Sequence, residues 1–142
     1  MIVVLCPLMT SNTGYIATAY QRIKKNCCKD WETDHKQFEN WYNTQLDKQE
    51  NNCFYCRLPG NTTDHCGHTF RKGRRGINLE VDRIKSKEPY SPENCVLACY
   101  PCNNAKSDVF SHEEFVYIGK TIRKVKTGGG AANLKNKLKC FR

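Results

Sequence analysis

Apolar positions along this 142-residue chain fall into two periodicities. Between Tyr15 and about Lys29, the residues Ile16, Ala19, Tyr20 and Ile23 recur at helical spacing, with Arg22, Lys24 and Lys25 on the other side. From Asp34 to Gln49 the helical pattern is clearer. Phe38, Trp41, Tyr42, Gln45 and Leu46 share one face, Asp34 can act as N-cap, and Gln37 sits at the capping-box position. An aromatic stripe of this kind reads as core packing. Leu79 to Ile84 alternates as a strand does, and Cys95-Val96-Leu97-Ala98 reads as a second, buried strand. A short helix is expected near Asn103 to Asp108. Ser111-His112-Glu113-Glu114 is a capping box that opens another. In that helix Phe115, Ile118, Ile122 and Val125 lie on one side, Lys120, Arg123, Lys124 and Lys126 on the others, and Gly128-Gly129-Gly130 ends it.

The segments between are polar. Residues 60–77 predict a loop, with room for a short hairpin, and the stretch from Ser86 to Asn94, with Pro89 and Pro92, predicts a connection. Residues 1–14 and the last twelve carry no periodic pattern and are expected to be loosely ordered arms. The chain divides into a helical segment at 1–50, a core at 51–110, and a basic helix with a tail at 111–142. A chain of this length makes one domain with a modest core, which often needs a staple.

Charge and cysteine content change the picture. Lys and Arg number 23 against 14 Asp and Glu, a net charge of +9. A basic surface attracts nucleic acid or an anionic membrane. Mean hydropathy is −0.72, and no apolar run approaches the roughly 20 residues that cross a bilayer. No basic amphipathic stretch suits a membrane surface, so nucleic acid is the expected partner and a membrane is not. Two clusters are candidates for DNA contact: Arg71, Lys72, Arg74 and Arg75 in the polar loop, and Arg123, Lys124 and Lys126 on the last helix. The apolar start Met1-Ile2-Val3-Val4-Leu5 lacks a basic leader, so a secretory signal is not expected.

Of the ten cysteines, four form two C-x-x-C pairs, Cys53/Cys56 and Cys99/Cys102. Without a secretory signal, this spacing favours zinc over disulfides and a reducing, intracellular compartment. Two such turns supply the four thiolates of a closed structural site, a staple that does no chemistry. His65, Cys66 and His68, or Cys27 and Cys28 near Cys6, leave open a second zinc that no spacing supports. Cys95 belongs to the buried strand, and Cys140 reads as a free thiol in the tail.

The two knuckles enclose Val81-Asp82-Arg83-Ile84 and Tyr90-Ser91-Pro92-Glu93-Asn94, and Asn103-Asn104-Ala105-Lys106 follows directly. Over about residues 53–108 this combination resembles the HNH endonuclease family in its zinc-stapled form. It is most similar to a branch with Asp-Arg where most members have Asp-His, a branch that includes some phage proteins and rare-cutting restriction enzymes. The resemblance implies an α+β fold: a small ββα-metal finger stapled by the four-Cys zinc site and flanked by N-terminal and C-terminal helices. It implies a metal-dependent DNA endonuclease in which Asp82 and Asn103 hold a catalytic Mg²⁺ or Mn²⁺ and Asn94 orders the loop between the strands. Lys106, three residues after Asn103 on the same helical face, is placed to hold a phosphate.

Arg83 departs from the family's His. Guanidinium cannot act as a base, but it can clamp a phosphate and stabilise developing charge. The base is then sought among Tyr55, His65, His68 and Tyr90. Tyr55 is favoured because the zinc knuckle would place it rigidly, with Arg83 and the metal expected to lower its pKa from about 10. Double-strand cleavage would need a homodimer or two events. The competing reading is a non-catalytic zinc module that binds nucleic acid.

Overall fold

A computed structural model describes residues 13–59 and 78–128. The loop cations Arg71, Lys72, Arg74 and Arg75, the pair His65 and His68, and Cys6, Cys66 and Cys140 lie outside the described residues.

The N-terminal segment folds as α1 (Thr13–Ile23), a 3-10 turn (Lys24–Asn26), α2 (Lys29–Thr33) and α3 (His35–Lys48). The single helix expected from Tyr15 to Lys29 is therefore broken. Cys27 and Cys28 are extended, and they pair with the loop between the strands: Cys28 N donates to Tyr90 O at 2.8 Å and Tyr90 N to Asn26 O at 2.9 Å. A helix at these positions would leave the Tyr90 backbone groups without those partners. The predicted face of α1 is the buried one, Ile16, Ala19, Tyr20 and Ile23. Asp34 caps α3 by accepting from Lys36 N at 2.9 Å.

Trp31, Phe38 and Tyr42 form an aromatic core with Tyr20, and the Trp31 and Phe38 rings meet edge-on at 5.1 Å. Their buried hydroxyls are satisfied: Tyr20 donates to Trp31 O at 2.7 Å and Tyr42 to Leu79 O at 2.6 Å. Buried polar groups without such partners would cost about 1–3 kcal/mol each.

Glu50 and Asn51 both have positive φ, and Asn51 N closes back on Leu46 O. This reversal turns α3 into the first knuckle. β1 (Glu80–Arg83) and β2 (Cys95–Ala98) pair antiparallel with Asp82 opposite Val96 and Arg83 opposite Cys95. The far edge of β2 is covered by a side chain, since Gln49 Oε1 accepts from Leu97 N at 3.0 Å and its Nε2 donates to Leu97 O at 2.8 Å. α4 (Tyr100–Lys106) starts three residues earlier than expected because Pro101 suits a first turn. It stops at Ser107, whose φ is positive. α5 (His112–Lys126) begins at the predicted capping box, with both reciprocal bonds formed. No described helix is long and apolar enough to cross a membrane.

Candidate active site

Four buried thiols, Cys53, Cys56, Cys99 and Cys102, gather with all sulfurs within 4.8 Å of one another. Thiols packed this closely cannot all ionise unaided. Hydrogen bonding from Cys102, then Cys56 and Cys99, draws Cys53 far below the ordinary thiol range, while bonding to Cys53 foremost pushes Cys102 far above it. A zinc ion fits this donor set and resolves that conflict by binding thiolates. The site joins the end of α3 to β2 and α4, so it locks the hairpin against the N-terminal helices.

Strand alternation then sorts the chemistry. Glu80 and Asp82 share the buried face of β1, and Val81 and Arg83 take the other. Asp82 is 6% exposed, and two side chains contact its carboxylate. The Tyr55 hydroxyl donates to Oδ2 at 2.6 Å. Lys106 Nζ lies 3.2 Å from the same oxygen and also donates to Arg83 O at 2.7 Å. The Asp82 carboxyl is raised above its ordinary value by burial, against the opposing pull of Tyr55 and Lys106.

The placement of Lys106 differs from the sequence expectation. At 1% exposed, its ammonium is committed to Asp82 and a carbonyl, so it neutralises the carboxylate instead of reaching a phosphate. Tyr55 differs too. Arg83 faces away from it, and burial foremost, followed by the Asp82 charge, pushes the phenol up, not down. Its hydroxyl also lies close to His112 Nδ1, at 3.2 Å. In the sequence, His112 stands out only as part of the Ser111–Glu114 capping box. No local signal marks it, because its approach to Tyr55 depends on how α5 docks.

On the open side, a cleft of about 370 Å³ is lined by Val81, Asp82, Arg83, Ser86, Tyr90, Asn103, Asn104, Ser107 and Asp108. Asp82 and Asn103 both line it. Asn103 donates its amide N–H to Glu80 Oε2 at 2.9 Å, which leaves the carbonyl oxygen as the group to offer a ligand. A carboxylate and an amide lining one cleft carry the hard oxygen donors that Mg²⁺ or Mn²⁺ prefers, so the residue types fit such an ion. The Arg83 guanidinium stacks over the Tyr90 ring at 4.6 Å and donates to Glu88 O. Its place in the cleft wall comes from this stack and from the backbone bonds that hold Tyr90.

Asn94 ties the hairpin loop. Its Oδ1 accepts from Lys85 N at 2.9 Å, its Nδ2 donates to Lys85 O and Pro89 O, and its own carbonyl accepts from Ile84 N. Cys95, buried on β2 opposite Arg83, is pushed up to about 12 by burial and is inert there. On α5, Arg123 donates to Arg57 O at 3.1 Å, and Lys124 and Lys126 are exposed.

No family model matches the chain, and no curated protein matches it. Among solved structures, the chain is similar to the rare-cutting HNH restriction endonuclease PacI, described for an extraordinary mechanism of DNA perturbation. The identity is 30%, 81% of each chain is covered, and the TM-score is 0.62. A match over 81% of the chain extends beyond the 53–108 stretch that carries the motif. With the four-thiol cluster, the two-stranded hairpin and α4 arranged as a zinc-stapled ββα finger, the chain belongs to the HNH endonuclease family.

Proposed function

We propose that the protein is a metal-dependent DNA endonuclease that hydrolyses phosphodiester bonds at the cleft between β1 and α4. The observation that carries this reading is the convergence of Asp82, Asn103 and Arg83 on one open cleft, in a chain similar to a DNA-acting restriction enzyme. Asp82 and Asn103 would hold Mg²⁺ or Mn²⁺, which supplies Lewis-acid stabilisation of charge on the phosphate. Arg83, braced by Tyr90, presents a planar fork to the scissile phosphate and stabilises its developing charge. Asn94 keeps the β1 end in register by closing the loop. Lys106 and Tyr55 orient the Asp82 carboxylate from behind. Of the two described candidates for the base, Tyr90 lines the cleft, while the Tyr55 hydroxyl is bonded to Asp82. Exposed Lys124 and Lys126, with the loop cations, would track the DNA backbone and make binding steeply salt-dependent. A homodimer would place two such clefts on the two strands.

The test is cleavage of a supercoiled plasmid in Mg²⁺ or Mn²⁺, abolished by EDTA. Asp82→Ala is expected to lose cleavage and retain DNA binding in a gel-shift assay. Cleavage retained by that variant rejects the assignment of Asp82. A wild-type protein that binds the plasmid without ever cutting it supports the non-catalytic zinc module instead.

A further inference from the structure

Tyr55 sits between Asp82 and His112, and its hydroxyl has one proton to give. The 2.6 Å contact with the Asp82 carboxylate is a charge-assisted bond, and it takes that proton. The phenol oxygen can then only accept from the other side, where His112 Nδ1 lies 3.2 Å away. The bond between them therefore exists only if His112 carries its proton on Nδ1. We propose that His112 is a positioning residue of the active site: its Nδ1–H holds the Tyr55 hydroxyl, which in turn holds the Asp82 carboxylate turned toward the divalent cation.

The surroundings fit this role. The His112 ring lies against Phe54 at 5.2 Å and Tyr55 at 5.6 Å, so both neighbours in the knuckle restrict it. Ser111 and Glu114 fix where α5 begins, and hence where His112 projects. Two turns on, Gly119 packs so closely that an added Cβ would lie 2.7 Å from the Tyr55 backbone. α5 thus grips Tyr55 twice, at the main chain through Gly119 and at the hydroxyl through His112. A helix that the sequence shows only as basic and amphipathic becomes part of what aims the metal-binding carboxylate. Outer groups that orient a metal ligand typically change metal affinity by about 10–100-fold when removed.

This inference rests on the endonuclease reading for its cation, so its test includes a readout that does not. In zinc-loaded, full-length protein labelled with ¹⁵N-histidine, with His112→Asn used to assign the signal, His112 is expected as the neutral Nδ1–H tautomer. An Nε2–H tautomer overturns the proposal whether or not the protein cuts DNA. Calorimetric titration with Mn²⁺ is expected to show about tenfold or greater weakening in His112→Phe, with most of the loss restored in His112→Asn, whose amide can donate to Tyr55. Tyr55→Phe is expected to weaken Mn²⁺ as His112→Phe does, and the double variant no further. Unchanged Mn²⁺ affinity in a folded His112→Phe protein, or additive losses in the double variant, overturns the role. Absence of both Mn²⁺ binding and cleavage in the wild type rejects the endonuclease reading instead, and the tautomer still decides the hydrogen bond.

Discussion

Lys106→Met removes one charge from beneath the active site and little else. Methionine keeps most of the stem's volume and flexibility, so the packing of α4 on β1 is retained. What disappears is the ammonium that lies 3.2 Å from Asp82 Oδ2 and 2.7 Å from the Arg83 carbonyl, at a position 1% exposed. Asp82, itself 6% exposed, is left with the Tyr55 hydroxyl as its remaining hydrogen-bond donor among the described residues. Breaking a buried pair by deleting one member costs about 3–5 kcal/mol, because the surviving charge stays desolvated. The orphaned carbonyl adds to that. The deficit should be read by urea denaturation of zinc-loaded protein in EDTA-free buffer, with zinc content checked in both forms. It should also depend on pH in a defined direction. Burial already raises the Asp82 carboxyl in the wild type, and loss of Lys106 raises it further. A raised folded-state value means the ionised form weakens the fold. The variant's deficit is therefore smallest at the acid end and grows as pH rises through the shifted value. A variant within about 1 kcal/mol of wild type, or with a deficit that shrinks as pH rises, refutes the placement of Lys106 as the counter-charge.

Three further outcomes follow from the packing. Cys99→Ser, or stripping of zinc by a strong chelator, is expected to collapse the near-ultraviolet circular dichroism of the aromatic core, since structural zinc contributes on the order of 10 kcal/mol; retention of the native spectrum would separate the thiol cluster from the fold. Gly119→Ala must move α5 off the Tyr55 backbone, which its Cβ would meet at 2.7 Å; the expected loss is about 1–3 kcal/mol in thermal or urea unfolding, and a neutral substitution would contradict that contact. Gln49→Ala leaves the Leu97 N–H buried without its acceptor, so a loss of about 1–3 kcal/mol is expected, measured the same way.

Local chemistry was legible wherever neighbours along the chain make the interaction. The α3 cap at Asp34, the buried face of α1, the Ser111 capping box and the two knuckles each involve residues a few positions apart, and each forms as its spacing implies. The alternation along Glu80–Arg83 puts Asp82 and Arg83 on opposite faces of the strand, and packing decides that the Asp82 face is the buried one. The helix expected through Lys29 failed for a non-local reason. Tyr90, more than sixty residues away, offers Cys28 a backbone partner that outweighs continued helix there.

The sequence by itself determined the parts list of this protein: a zinc staple, a hairpin with a carboxylate and a guanidinium on opposite faces, a loop asparagine, and a helix that presents an amide. These follow from spacing, because C-x-x-C turns, period-2 strands and helix caps are short-range geometry. The tertiary structure decided which of those parts touch. Lys106 became a buried counter-charge instead of a phosphate ligand, and Tyr55 an anchor for Asp82. His112 entered the site from a helix more than fifty residues from Tyr55 in sequence. Burial and charge neutralisation depend on what packs over a residue. That is set by how α4 and α5 settle on the stapled hairpin, which no local pattern encodes.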